Sequence, residues 1–268
     1  MRILVHLSDL HFGRVDRGIV DALVKQLERI KPNVVAVSGD LTQRGRAREF
    51  REARSFLDMI GCPLIVVPGN HDVPLFNIVA RFLYPLRGYQ RHISKELRPF
   101  YQDEETAVAG INTTRSLTAK GGGVRIADVK WICDKLQRLD NRVVKIIVSH
   151  HPFELPDNKL PAGTTRSERN AFEVLARCGA DVFLTGHLHV SYAGTSAASH
   201  MIGGRSAIVV GAGTATSTRV RGETNAFNVL RIDDSKTVVE RLAWQAGQNG
   251  FEITDTERFE KSAQGWEH

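Results

Sequence analysis

Ten side chains able to bind metal ions stand just after short apolar runs in this sequence. "SDLHFG" carries Asp9 and His11, and "SGDLT" carries Asp40. "PGNHDV" carries Asn70, His71 and Asp72, "SHHPF" carries His150 and His151, and "TGHLHV" carries His187 and His189. Each group alone has a plainer reading. Asp-x-His after a strand makes an Asx turn, and Gly-Asp and Gly-Asn are common turn pairs. A lone histidine is usually a satisfied surface or core residue. Five such groups in series are not explained that way, because turns do not require histidine. Carboxylate, imidazole and amide oxygen suit borderline and hard divalent ions such as Mn, Fe or Zn. No thiolate belongs to the set, which argues against a structural zinc site.

The elements that must position these residues can be read from the apolar pattern. "RILVHLS", "NVVAVSG", "PLIVVPG", "TAVAGIN", "VVKIIVSH" and "DVFLTGH" are apolar at nearly every position, as strands buried on both faces would be. Helical spacing links Ile19, Leu23, Leu27 and Ile30, stopped by Pro32, and then Phe50, Ala53, Phe56, Leu57 and Ile60, ended by Gly61 and Pro63. Val129, Ile132, Cys133, Leu136 and Leu139 form a third helix, and Phe172, Leu175 and Ala176 mark a fourth. Strand–helix alternation predicts an α/β fold. In an open α/β sheet the carboxyl ends of the strands share one edge, so the five groups would converge there. Gly39, Gly69 and Gly186 each precede a candidate ligand, where a sharp turn brings the next side chain to a crowded centre.

Two regions break the rhythm. Residues 74–100 show helical periodicity broken by Pro85 and Gly88, and read as an inserted cap or dimer surface. Its apolar Phe76, Ile78, Val79, Phe82, Leu83 and Leu86 alternate with basic Arg81, Arg87, Arg91, Lys95 and Arg98. An amphipathic basic cap could also touch an anionic membrane surface, but a dimer face or plain core packing is the preferred reading. After His189, "SAIVVGAGTATS", "NAFNVLRID" and "KTVVERLAW" read as consecutive antiparallel strands. From about Ala207 onward they are expected to continue into a second sheet packed on the first. The whole chain of 268 residues is read as one domain, with a polar, peripheral tail from Gly250.

Hydrophobic content of 42% and charged content of 25% fit a soluble globular protein. A net charge of +6 is compatible with nucleic acid or a small phosphate, but no run of consecutive Lys/Arg marks a nucleic-acid arm. Cys62, Cys133 and Cys178 are odd in number and far apart, and are expected to be reduced, partly buried thiols. With no signal-peptide pattern and no membrane-span-length apolar stretch, the expected location is the cytoplasm.

The series "SDLH", "GD", "GNHD", "HHP" and "GHLH", in this order across residues 9–189, resembles the calcineurin-like metallophosphoesterase family. Within it, "SDLHFG", "SGDLT", "VPGNHD" and "GHLHV" are most similar to bacterial class III 3′,5′-cyclic nucleotide phosphodiesterases. The resemblance implies a four-layer αββα sandwich with two central mixed sheets, and two divalent ions as cofactors (Mn, Fe or Zn). Asp9, His11 and His189 would bind the first ion, and Asn70, His150 and His187 the second. Asp40 would bridge both. Asn70, His71 and His189 would face the substrate, and His71, which binds no metal, would serve catalysis. His150 is preferred over His151 as the ligand because it stands two residues before Pro152. Two dications with two carboxylates leave net positive charge, which favours an anionic phosphate and a metal-bridging hydroxide as nucleophile. The leaving alkoxide still needs help, and His71 is the natural candidate, as general acid or as a charged donor to the transition state. Asp72 would orient it or simply cap the turn.

The implied function is hydrolysis of a small phosphodiester, with a cyclic nucleotide such as 3′,5′-cAMP the best guess. The alternatives are a lipid-linked or nucleotide-sugar pyrophosphohydrolase, or a broad phosphomonoesterase. A nuclease is disfavoured by the lack of a basic-aromatic groove signature, and no stable nucleic-acid partner is expected. A metal-free scaffold is disfavoured because every expected ligand is present. A homodimer is open. Gly121-Gly122-Gly123 reads as a flexible turn and not a phosphate loop. Asn112, Arg115 and His200 could reach substrate but read more simply as loop residues.

Overall fold

The computed structural model describes residues 1–74, 78–115, 122–155, 166–196, 206–218 and 222–268. Phe76, Gly121 and His200 lie outside the described residues. Strand β1 (Arg2–Leu7) leads into helix α1 (Arg17–Ile30), β2 (Val34–Val37), α2 (Ala47–Asp58) and β3 (Leu64–Val66). Asp16 caps α1 by accepting from the backbone of Gly18 and Ile19. Lys31 ends α1 in the left-handed conformation, directly before Pro32. The parallel order β1-β2-β3 puts the carboxyl ends of all three strands on one edge.

The insertion holds α3 (Ile78–Leu83) and α4 (Arg87–His92). Pro85 separates them as expected, but Gly88 lies inside α4. Its role is close approach, since a Cβ there would stand 2.6 Å from the Phe50 ring. Leu86, Tyr89 and Ile93 enter the core, and the Tyr89 hydroxyl donates to the Val66 carbonyl at 2.8 Å. Val79, Phe82, Leu83 and Tyr84 are exposed.

A second run follows: β4 (Phe100–Gln102), β5 (Thr106–Gly110), α5 (Ile126–Leu136), β6 (Val144–Val148), α6 (Arg166–Arg177), β7 (Val182–Thr185), β8 (Tyr192–Thr195) and β9 (Ile208–Gly211). They build a six-stranded sheet in the order β4-β5-β6-β7-β9-β8. The chain closes with β10 (Ala226–Ile232), β11 (Lys236–Gln245), β12 (Gly250–Ser262) and β13 (Gly265–Glu267). These return to the first sheet, in the order β13-β12-β11-β10-β1-β2-β3.

Three apolar clusters define four layers. Leu23, Leu27, Phe50 and Phe56 pack α1 and α2 on the first sheet. Val34, Ile65, Ile146, Val148, Val182 and Leu230 fill the space between the two sheets. Ile132, Leu136, Phe172 and Leu175 pack α5 and α6 on the second sheet. Both sheets are mixed, and the fold is the expected αββα sandwich.

Three expectations are corrected. The tail from Gly250 is not peripheral, since β12 and β13 pair into the first sheet and bury Phe259 and Trp266 between the sheets. The late strands do not make the second sheet. β10 pairs antiparallel with β1, with Val5 opposite Val229, and only β9 of the late strands joins β7. An apolar strand records that it is buried, not which neighbour buries it. The motif-bearing strands therefore divide between the sheets, with β1–β3 in one and β6 and β7 in the other. The three cysteines are not all thiols either, since Cys133 of α5 and Cys178 just after α6 form a disulfide and Cys62 is free. The pair becomes close only because α5 and α6 lie side by side, which a spacing of 45 residues does not reveal.

Candidate metal centre

The strand ends of both sheets meet where the apolar runs give way to Asp, Asn and His. Asp9, His11, Asp40, His187 and His189 all have positive φ, between 50° and 71°. They are five of the seven such non-glycine residues among those described. This left-handed turn is disfavoured for side chains with a Cβ, though Asp and His adopt it more readily than most. Such strain persists where the surroundings over-determine it. The glycines supply closeness: a Cβ at Gly69 would stand 2.1 Å from Oδ1 of Asp40, and one at Gly186 would stand 2.7 Å from Oδ2 of Asp9.

Two donor groups result. Oδ1 of Asp9 lies 3.5 Å from Nε2 of His11 and 3.3 Å from Nε2 of His189. Oδ2 of Asp40 lies 3.8 Å from the same His11 nitrogen. These four residues can hold one ion. On the other side, Oδ1 of Asp40 lies 3.4 Å from Nε2 of His150. Oδ1 of Asn70 lies 2.9 Å from that nitrogen and 3.0 Å from Nδ1 of His187. Asp40 thus faces one group with each carboxylate oxygen.

The far side of three of the four ligand rings is fixed by the backbone or a hydroxyl. Nδ1 of His150 donates to the Ser38 carbonyl at 2.8 Å, and Nδ1 of His11 faces the Thr42 carbonyl at 3.4 Å. Nδ1 of His189 meets the Thr214 hydroxyl at 2.7 Å. A carbonyl only accepts, so in His150 and His11 Nδ1 carries the hydrogen and Nε2 presents its lone pair inward, while His187 presents Nδ1 to Asn70. Lone pairs of imidazole, carboxylate and amide oxygen then converge with no hydrogen between them. Oδ1 of Asp9 and Nε2 of His11 are sealed from solvent without a hydrogen-bond partner. Buried acceptors of this kind call for a cation, so the residues present fit two divalent ions.

Without ions, the buried carboxylates and imidazoles perturb one another strongly. Burial would raise the Asp9 carboxyl, but His11, His189 and His150 outweigh it and hold it well below the usual range. Burial would lower His11, yet Asp9 and Asp40 raise it. Burial, with His150 beside it, lowers His187 to about 4, so its imidazole is neutral at pH 7, as a ligand must be.

His71 stands at the rim, its ring edge-on to His11 at a centroid distance of 4.9 Å. Its Nδ1 faces the Gln43 carbonyl at 2.8 Å, so Gln43, and not Asp72, orients the ring. Asp72 takes the capping role. Its buried carboxylate accepts from the backbone of Leu41, Thr42 and Gly69 and from the Thr42 hydroxyl. Burial and the neighbouring Asp40 raise its pKa to about 6. His151 lies behind the ligand pair, bound through Nδ1 to the Thr113 hydroxyl at 2.9 Å. Its ring is within 4.9 Å of His150 and 4.6 Å of His187, near enough to join their donor group. Nε2 of His150 is the one set against Asp40 and Asn70. Gly122 packs against His151 and Glu168, so it is not merely a flexible turn. Sequence reasoning missed Ser8, whose hydroxyl donates to Asp9 at 2.6 Å, and also Gln43 and Thr214. Nothing about a lone Gln or Thr signals contact with a histidine distant in the chain, and a Ser beside an Asp does not announce a bond to it.

Among known proteins, a glycerophosphodiester phosphodiesterase of Enterobacter lignolyticus is 29% identical over 57% of this chain and 58% of its own length. The match thus spans little more than half of that relative. A probable cyclic nucleotide phosphodiesterase of Synechococcus is 23% identical over 70% of this chain and 74% of its own. The fold is similar to that of a dimetal phosphatase from Danio rerio, with a TM-score of 0.67, 15% identity, and 96% and 98% of the two chains covered. No helix among the described residues is long and apolar enough to cross a membrane. The calcineurin-like phosphoesterase pattern matches residues 1–191, and with both donor groups in place the chain belongs to that family of metal-dependent phosphoric ester hydrolases, whose cofactors are two divalent ions.

Proposed function

We propose that this chain hydrolyses small phosphodiesters. A 3′,5′-cyclic nucleotide such as cAMP is the first candidate substrate and a glycerophosphodiester the second, because relatives bear both names. The observation that carries the reading is the division of Asp40, with Oδ2 toward His11 and Oδ1 toward His150. Asp9, His11, Asp40 and His189 would hold one ion, and Asp40, Asn70, His150 and His187 the other; bound there, two divalent ions would supply an activated water and offset the charge of the phosphate.

His71 acts on the leaving group. Its Nδ1 hydrogen is committed to the Gln43 carbonyl, so the proton it can give away is on Nε2. A departing alkoxide takes that proton as the P–O bond breaks, and neutral His71 recovers one from solvent. Ser38, Thr42 and Thr214 hold the ligand rings in one tautomer and orientation, so little reorganisation accompanies the reaction.

The test is a substrate panel on protein reconstituted with Mn, Fe or Zn: cAMP, glycerophosphoethanolamine, bis(p-nitrophenyl) phosphate, p-nitrophenyl phosphate and a nucleotide sugar. Diesters are expected to exceed the monoester and the pyrophosphate in kcat/KM by about tenfold or more. A monoester or pyrophosphate preference would overturn the diester assignment.

A further inference from the structure

A cavity of about 850 Å³ includes Thr114 and Gly123 in its lining, and their chain neighbours Thr113 and Gly122 stand against His151. One wall contains Thr114 and Arg115, just after β5. The adjoining Thr113 is the residue whose hydroxyl holds His151 against His150 and His187. The other wall contains Tyr84 and Arg87 of the insertion, which follows the Asn70–Asp72 turn.

The lining combines basic and apolar residues. Arg87, Arg115 and Arg125 all line the cavity. Arg125 is occupied, with both its Nε and Nη2 on the Asp128 carboxylate. Neither Arg87 nor Arg115 meets a carboxylate among the described residues. The Arg87 guanidinium lies 5.8 Å from the centre of the Tyr84 ring. The Arg115 guanidinium lies across Gly123 and reaches the Val124 carbonyl at 3.5 Å. A Cβ at Gly123 would stand 1.7 Å from Arg115 Nε, so the missing side chain makes room for the arginine. Leu83 and Leu97 complete the apolar part beside Tyr84. Two guanidiniums without acids, next to an aromatic ring, suit a phosphate attached to a flat, partly apolar group.

We infer that the cavity is a subsite for a second phosphate, one nucleoside away from the diester that is cut. Arg87 and Arg115 hold this phosphate, and the intervening nucleoside lies over Tyr84. The choice of scissile bond rests on the phosphodiesterase reading, but the binding of the remote phosphate does not. Neither cAMP nor a glycerophosphodiester carries such a group. Both would be substrates lacking this contact, and a diester with the extra phosphate would be a better one.

Thymidylyl-thymidine (TpT) and its 5′-phosphorylated form (pTpT) share one scissile diester and differ by that phosphate. Binding is measured by calorimetry on chelator-treated protein, and kcat/KM on Mn-reconstituted protein. pTpT is expected to bind about tenfold more tightly, the size of one charge-assisted contact. The same factor should appear in kcat/KM through KM, with kcat little changed. In the exposed Arg87→Gln/Arg115→Gln double variant both ratios should fall to about one. Gly123→Ala, which keeps both arginines but displaces Arg115, should lower them in part. Equal binding of TpT and pTpT by the unmodified protein would overturn the subsite, as would a preference that survives the double substitution. A tenfold binding preference without turnover of either compound would support the subsite and exclude dinucleotides as substrates, while the substrate panel decides the phosphodiesterase reading separately.

Discussion

The backbone N–H of His71 donates to Oδ1 of Asp40 at 2.8 Å. The loop that carries His71, the proposed proton donor, is thereby tied to the carboxylate that faces both donor groups. Asp72 tightens the tie from below, since it bonds both Gly69 of that loop and the backbone of Leu41 and Thr42, just after Asp40. A change in metal occupancy would therefore be felt at His71, whereas loss of the His71 ring need not disturb the ions.

The His71→Ala variant tests this asymmetry. It is expected to keep two ions per chain and lose about 10²–10⁴-fold in rate on diesters with alkyl or ribose leaving groups. The loss should be smaller for p-nitrophenolate, which leaves without protonation. Metal analysis beside rates on both leaving-group types is the measurement. Equal loss on both would remove the acid role and leave charge stabilisation.

Gly69→Ala puts a methyl group against the Asp40 carboxylate, which cannot move without leaving its partners. The expected cost is about 1–3 kcal/mol in unfolding free energy, with metal affinity lowered about tenfold or more. Gly61→Ala serves as the comparison, because nothing stands within 4 Å of its added Cβ. It should change stability by no more than about 0.5 kcal/mol. Urea midpoints and metal titration read both effects, and similar behaviour of the two variants would refute the crowding argument.

Much of this site was legible because the chemistry follows the pattern of burial. Apolar runs such as "NVVAVSG" announced strands, and a Gly-Asp or Gly-Asn-His at the exit announced a turn with a ligand-type side chain. Helices α1 and α2 were legible from Leu23, Leu27, Phe50 and Phe56, which recur at helical spacing. What could not be read depends on contacts between distant segments. Val229 opposite Val5 is one apolar strand beside another, and Cys133 beside Cys178 is one helix beside another. Thr214 on His189, and Gln43 on His71, are single polar residues whose roles arise only when the chain brings them together.

His6, fully buried on β1 with Nε2 at 2.9 Å from the Ser38 hydroxyl, gives a pH prediction. Burial lowers its pKa from 6.5 to about 3. The unfolded chain therefore takes up a proton below pH 6.5 that the folded protein refuses. The stability linked to this group is fully present above that pH and is lost as pH falls toward 3, at about 1.4 kcal/mol per pH unit. A His6→Gln variant should lack this component. Unfolding curves of both proteins from pH 7 to 4.5 should converge as the pH falls, and parallel curves would contradict the assignment.

The most direct test of two ions sharing one carboxylate is metal content and diester turnover of Asp40→Asn beside the unmodified protein. The substitution keeps the shape of the side chain but removes its charge and one strong donor oxygen. The unmodified protein should hold two ions per chain, and Asp40→Asn should hold fewer than one and lose most of its rate on bis(p-nitrophenyl) phosphate. A folded Asp40→Asn protein with two ions and full activity would contradict a centre built on Asp40.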